Sequence, residues 1–68
     1  MTKFSERLKE LRQEKNLSTR ALAQAIGVSN SVISKWEKGQ RVPSIDNLYN
    51  LAVFFGVSSD FLIGLQDY

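Results

Sequence analysis

Residues 30–38, Asn-Ser-Val-Ile-Ser-Lys-Trp-Glu-Lys, hold the most chemically suggestive pattern in the chain. Wound as a helix at about 100° per residue, they put Val32, Ile33 and Trp36 on one side. Asn30, Ser31, Ser34, Lys35 and Lys38 fall on the other, with Glu37 at the boundary. The outer arc is thus one amide, two hydroxyls and two ammonium groups, without a carboxylate. An amide can bridge the N7 and N6 edge of adenine, a hydroxyl can donate or accept at any base, and an ammonium can reach guanine or phosphate. Missing acids remove repulsion from a polyanion. The other reading of such an arc is an ordinary solvated face. Solvated faces usually mix signs, as Glu6, Arg7, Lys9, Glu10, Arg12, Glu14 and Lys15 do on the segment before it.

Catalysis has little to work with. The 68 residues include no histidine and no cysteine, which removes the usual zinc ligands, the usual general base and any disulfide framework. No carboxylate pair stands at a useful spacing, and no glycine-rich loop could cradle a phosphate. No metal, no cofactor and no enzymatic activity are expected. A chain this short buries only about 60% of its unfolded surface, so it works with its surface rather than with a pocket. No apolar run approaches the roughly 18 residues of a membrane span. The opening Met1-Thr2-Lys3-Phe4-Ser5-Glu6 lacks the apolar stretch of a secretory signal. A cytoplasmic location without a membrane partner follows by default.

The charge is unevenly placed. The whole chain carries +2, with 43% hydrophobic and 24% charged residues. Arg20, Lys35, Lys38 and Arg41 outnumber Glu37 between residues 20 and 41, whereas beyond residue 41 only Asp46, Asp60 and Asp67 are charged. A basic middle and an acidic tail suggest a polyanion partner that the net charge would not reveal.

Five short helices must position these groups, and no pattern of period two suggests a strand. Phe4, Leu8 and Leu11 mark a first helix over about residues 3–15, and Asn16 suits its end. Ser18 caps a second, Thr19 to about Ala25, with Leu22, Ala23 and Ile26 inward and Gly27 permitting a sharp turn. Ser29 caps a third, about 30–38, ended by Gly39. Ser44 caps a fourth after Pro43, with Asp46 facing the positive helix end. Leu48, Leu51, Ala52 and Phe55 line its core side before Gly56. Ser58 or Ser59 opens a fifth, with Phe61 and Leu62 inward, reaching about Leu65. The expected fold is one compact all-α domain over residues 1–68, with no linker or repeat.

Residues 17–39, Leu-Ser-Thr-Arg-Ala-Leu-Ala-Gln-Ala-Ile-Gly-Val-Ser-Asn-Ser-Val-Ile-Ser-Lys-Trp-Glu-Lys-Gly, resemble the helix-turn-helix of the phage Cro/CI repressor family, also called the XRE family. The resemblance continues through Arg41-Val42-Pro43-Ser44, Leu48-Tyr49-Asn50-Leu51-Ala52 and Phe55-Gly56-Val57-Ser58, covering about residues 4–64. It implies a five-helix lambda-repressor-like domain, its helix-turn-helix at about 18–38, with the third helix in the DNA major groove and the second across it. Carried over by position, Asn30, Ser31, Ser34 and Lys35 would read bases. Thr19, Ser29, Lys38 and the loop Gly39-Gln40-Arg41 would hold phosphates, where helix N-termini and loop amides can receive an anion. Arg20 would either join them or remain solvated. The resemblance makes Arg12 and Glu37 a structural ion pair, Trp36 a core residue and Gly27 a turn requirement.

The start of the second helix departs from the family. Relatives often have Gln followed by acids where this chain has Thr19-Arg20-Ala21, so the acidic patch that some use to touch RNA polymerase has no counterpart, which favours repression. With nothing after residue 68, the self-cleaving half of longer repressors is expected to be missing. Specific binding by so small a domain usually needs two copies on a double-stranded, pseudo-palindromic operator. Val53, Phe54, Ile63, Leu65 and Tyr68 are candidates for a weak homodimer face, the other possibility being a core that wraps further round the fourth helix. The alternative function is a protein-interaction or antitoxin module of the same fold, with DNA binding secondary.

Overall fold

Serine hydroxyls start four of the five helices. In the computed structural model, which describes residues 2–67, α1 spans Thr2–Glu14, α2 Thr19–Ile26, α3 Asn30–Glu37, α4 Ile45–Phe55 and α5 Ser59–Ile63. Ser18, Ser29, Ser44 and Ser58 sit in extended backbone, and each Oγ accepts an N–H three residues on, at 3.0 to 3.3 Å. Each bond satisfies one of the donors a helix start leaves without a partner. The fifth helix therefore opens at Ser58, which settles the choice between Ser58 and Ser59.

The helix ends share one device as well. Leu17, Val28, Gln40, Val57 and Leu65 each donate a backbone N–H to the carbonyl five residues back, at 2.8 to 3.1 Å. The residue before each donor has positive φ: Asn16 at 56° and glycines in the other four cases. This is the Schellman closure, and glycine is favoured there because it has no Cβ to clash. Its placement corrects two expected boundaries. Gly64, at φ 89°, ends α5 before Leu65 is reached, and Lys38 caps α3 rather than belonging to it.

The core is built from all five helices: Phe4 and Leu8 from α1, Leu22 and Ala23 from α2, Ile33 and Trp36 from α3, Leu51 and Phe55 from α4, and Leu62 from α5. Leu11, Ile26, Val28, Val32, Leu48, Ala52 and Val57 pack around it, half-buried. Helix α1 lies against α3 and α5, α2 against α3 and α4, and α4 also against α5.

One expectation for α1 fails. Arg7 belongs to the series read as a solvated face, yet it lies largely buried. Its Nη1 donates to the carbonyls of Phe61 and Gln66, its Nη2 stands 3.5 Å from the Asp67 carboxylate, and its guanidinium sits 4.3 Å from the Phe61 ring centroid. The carbonyls at the end of α5 need donors, and a planar guanidinium supplies several at once. Arg7 thus ties residues 61–67 to α1.

Candidate nucleic-acid interface

Helix α3 is fixed from beneath. Ile33 is fully buried and Trp36 is 1% exposed, with the indole edge-on to Phe4 at 6.2 Å between centroids and 75° between planes. Ser5 Oγ donates to the Trp36 carbonyl at 2.7 Å, which gives a carbonyl at the helix end a partner from α1. Arg12 closes the same junction. Its Nε and Nη2 donate to the two Glu37 oxygens at 2.6 and 2.9 Å, and its Nη1 donates to the Leu17 carbonyl at 2.8 Å. The hydrogen bonds that Arg12 donates to Glu37 raise the Arg12 pKa above its ordinary value, against the lowering effect of burial. Glu37 is therefore turned inward, its side chain only 9% exposed, and is spent on a structural pair.

With Trp36 and Ile33 down and Glu37 taken up, the other side of α3 faces out. Asn30, Ser31, Lys35 and Lys38 are exposed and Ser34 is half-buried at the edge of the arc. Ser29, exposed at the N-cap, lies with its Oγ 3.2 Å from Ser31 Oγ. Arg20, Gln40 and Arg41 are exposed, and Thr19 is half-buried at the start of α2. The turn Gly27-Val28-Ser29 joins the two helices, and Gly27 takes φ 77° as the turn requires.

The loop after α3 needs a correction. The backbone N–H groups of Gly39 and Gln40 donate to the Trp36 and Lys35 carbonyls at 3.2 and 2.9 Å, so both amides close the helix and neither is available to an anion. The exposed Gln40 and Arg41 side chains remain as donors from this loop.

The sequence pointed to Val53, Phe54, Ile63, Leu65 and Tyr68 as a contact face. Leu65 is 72% exposed, Phe54 stands edge-on to the core ring of Phe55 at 5.0 Å, and Ile63 is half-buried; Tyr68 lies outside the described residues. The broader apolar surface is a row of which the sequence pointed to Val53 alone. Ile45, Tyr49 and Val53 succeed one another at four-residue spacing along α4 and are 85%, 67% and 63% exposed. They flank a groove of about 570 Å³ floored by Leu48, Ala52 and Val57. The spacing itself was the available signal. Among the described residues no helix is long and apolar enough to cross a membrane.

Two short helices joined by a three-residue turn, the second with a buried aromatic underside and a polar outer side, define a helix-turn-helix unit. The helix-turn-helix family HTH_3 matches residues 8–62, and the chain belongs to that family. It is 41% identical over 64 residues to the HTH-type transcriptional activator BcrR of Enterococcus faecalis, covering 94% of this chain and 31% of that protein. Among solved structures it is similar to the P22 c2 repressor in complex with a synthetic operator, with a TM-score of 0.85 and 32% identity over 91% of this chain and 94% of that one. The restriction-modification controller protein C.AhdI of Aeromonas hydrophila gives a TM-score of 0.81 and 38% identity over 90% and 92% of the two chains. The chain spans between 31% and 57% of the length of the first curated relatives it matches.

Proposed function

We propose that residues 1–68 act as one helix-turn-helix unit that binds double-stranded DNA sequence-specifically in the cytoplasm and regulates transcription. Asn30, Ser31, Ser34 and Lys35 read base edges from the major groove. Thr19, Arg20, Ser29, Lys38, Gln40 and Arg41 hold phosphates on either side. No cofactor, metal or catalytic step takes part. The observation that carries the reading is the acid-free outer side of α3, held outward by Trp36, Ile33 and the inward-turned Glu37. The P22 c2 repressor, similar along nearly its whole compared length, was solved on an operator.

Regulation is by repression, through occupation of a pseudo-palindromic operator by a homodimer. Thr19-Arg20-Ala21 supports this, because it leaves the start of α2 without an acidic contact patch. The exposed apolar row on α4, together with Phe54, Ile63, Leu65 and Tyr68, supplies the self-contact. A salt titration of duplex binding tests the DNA reading. Log affinity should fall linearly with log salt, with a slope of about −0.9 per phosphate contacted. Affinity that ignores salt would instead favour the protein-interaction module, for which the apolar α4 row is the natural contact.

A further inference from the structure

We infer that Ser31 reads the amino-bearing edge of a base, adenine N6 or cytosine N4, because its hydroxyl proton is committed to Ser29. The inference rests on the DNA reading above and adds the chemical class of base that one position selects. Ser29 Oγ accepts the Val32 N–H at 3.3 Å and lies 3.2 Å from Ser31 Oγ. Both side chains are exposed where α3 begins.

A hydroxyl has one proton and two lone pairs. On Ser29 the Val32 N–H occupies one lone pair. A phosphate oxygen only accepts, so the phosphate contact takes the Ser29 proton. What remains on Ser29 is a single lone pair, and Ser31 has to donate into it. Ser31 then faces the groove with two lone pairs and no proton. In the major groove, adenine N6 and cytosine N4 donate, whereas guanine O6 and N7 and thymine O4 accept. A serine without such a neighbour rotates its proton to suit either class. Ser29 removes that freedom.

The test pairs protein and base changes. Wild-type protein selects tight binders from a random duplex pool, and the position whose preference is lost in Ser31→Ala marks the base that Ser31 faces. Each base pair carries one such amino group in the major groove, so the expected preference is for the pair and strand orientation that puts its adenine or cytosine toward Ser31. Replacing it with the analogue lacking the amino group, purine for adenine or 2-pyrimidinone for cytosine, should weaken wild-type binding about fivefold and leave Ser31→Ala unaffected. Ser29→Ala frees the Ser31 proton, so guanine and thymine become acceptable at that position, while Ser29→Thr keeps the original preference. Circular dichroism confirms that each variant is folded. Wild-type affinity unchanged by removal of the amino group on either strand, a Ser31→Ala profile unchanged at every position, or a preference that survives Ser29→Ala would each overturn the assignment. Wild-type protein that enriches no duplex at all removes the DNA reading, and the assignment with it.

Discussion

Glu37 and Arg12 show how a single residue can matter to a surface it does not form. The Glu37 carboxylate takes two hydrogen bonds from Arg12 and is thereby kept off the polar arc of α3. Glu37→Ala leaves a mostly buried guanidinium without its counter-charge, and the expected loss is about 3 kcal/mol. Urea unfolding measures it; a loss under about 1 kcal/mol would show that the pair behaves as an exposed one. The same substitution should leave base preference unaltered in protein that remains folded. This pair was legible from the resemblance. Ser5 was not, because a serine in a charged segment carries no sign of its partner, the Trp36 carbonyl, which only the docking of α1 on α3 brings within 2.7 Å. Arg7 misled for a related reason. Its neighbours in sequence are solvated charges, while the carbonyls that claim it lie more than fifty residues away.

At the scale of elements the caps made the sequence easy to divide. Each serine start and each glycine or asparagine stop corresponds to a hydrogen bond in the structure, so helix limits fall within one or two residues of expectation. The largest difference is at the end of α5, where side-chain pattern favoured Leu65 and backbone geometry stops the helix at Ile63. The glycines also differ in a way that sequence does not show. A Cβ at Gly27 would meet nothing within 4 Å, whereas a Cβ at Gly64 would stand 2.7 Å from Lys3 Cβ. Both have positive φ, so Gly27→Ala is expected to cost about 1 kcal/mol for backbone strain alone. Gly64→Ala adds a collision between α1 and the end of α5 and should cost about 2–3 kcal/mol. Thermal unfolding of the two variants gives the comparison, and equal losses would mean that the Lys3 contact relaxes freely.

At the scale of the whole chain, charge and exposed apolar residues are segregated along the sequence beyond residue 19. The cations of residues 20–41 accompany α3, while residues 42–68 carry only acids beside the exposed row Ile45, Tyr49 and Val53. The basic segment suits a polyanion and the apolar α4 row a second protein surface. The charge split was plain in the sequence. Of the α4 row only Val53 was recognised, because the core side of that helix is apolar too and composition alone does not say where burial stops. Sedimentation at rising concentration is expected to show a reversible dimer at high micromolar protein, and Tyr49→Lys should weaken it at least tenfold by placing a charge in the apolar row. Strictly monomeric wild-type protein, with duplex present, would contradict a two-copy complex.

On the proposed function, the outer side of α3 distinguishes base pairs. This claim is tested most directly by the ratio of selected-site to random-duplex affinity at one salt concentration, compared among wild type, Lys35→Ala and Arg41→Ala. Lys35→Ala is expected to reduce that ratio about tenfold or more, since a lost base contact is worth roughly 1–3 kcal/mol of discrimination. Arg41→Ala should weaken both duplexes alike and flatten the salt slope by about one phosphate. A Lys35→Ala protein that loses affinity equally for selected and random duplex would contradict the claim.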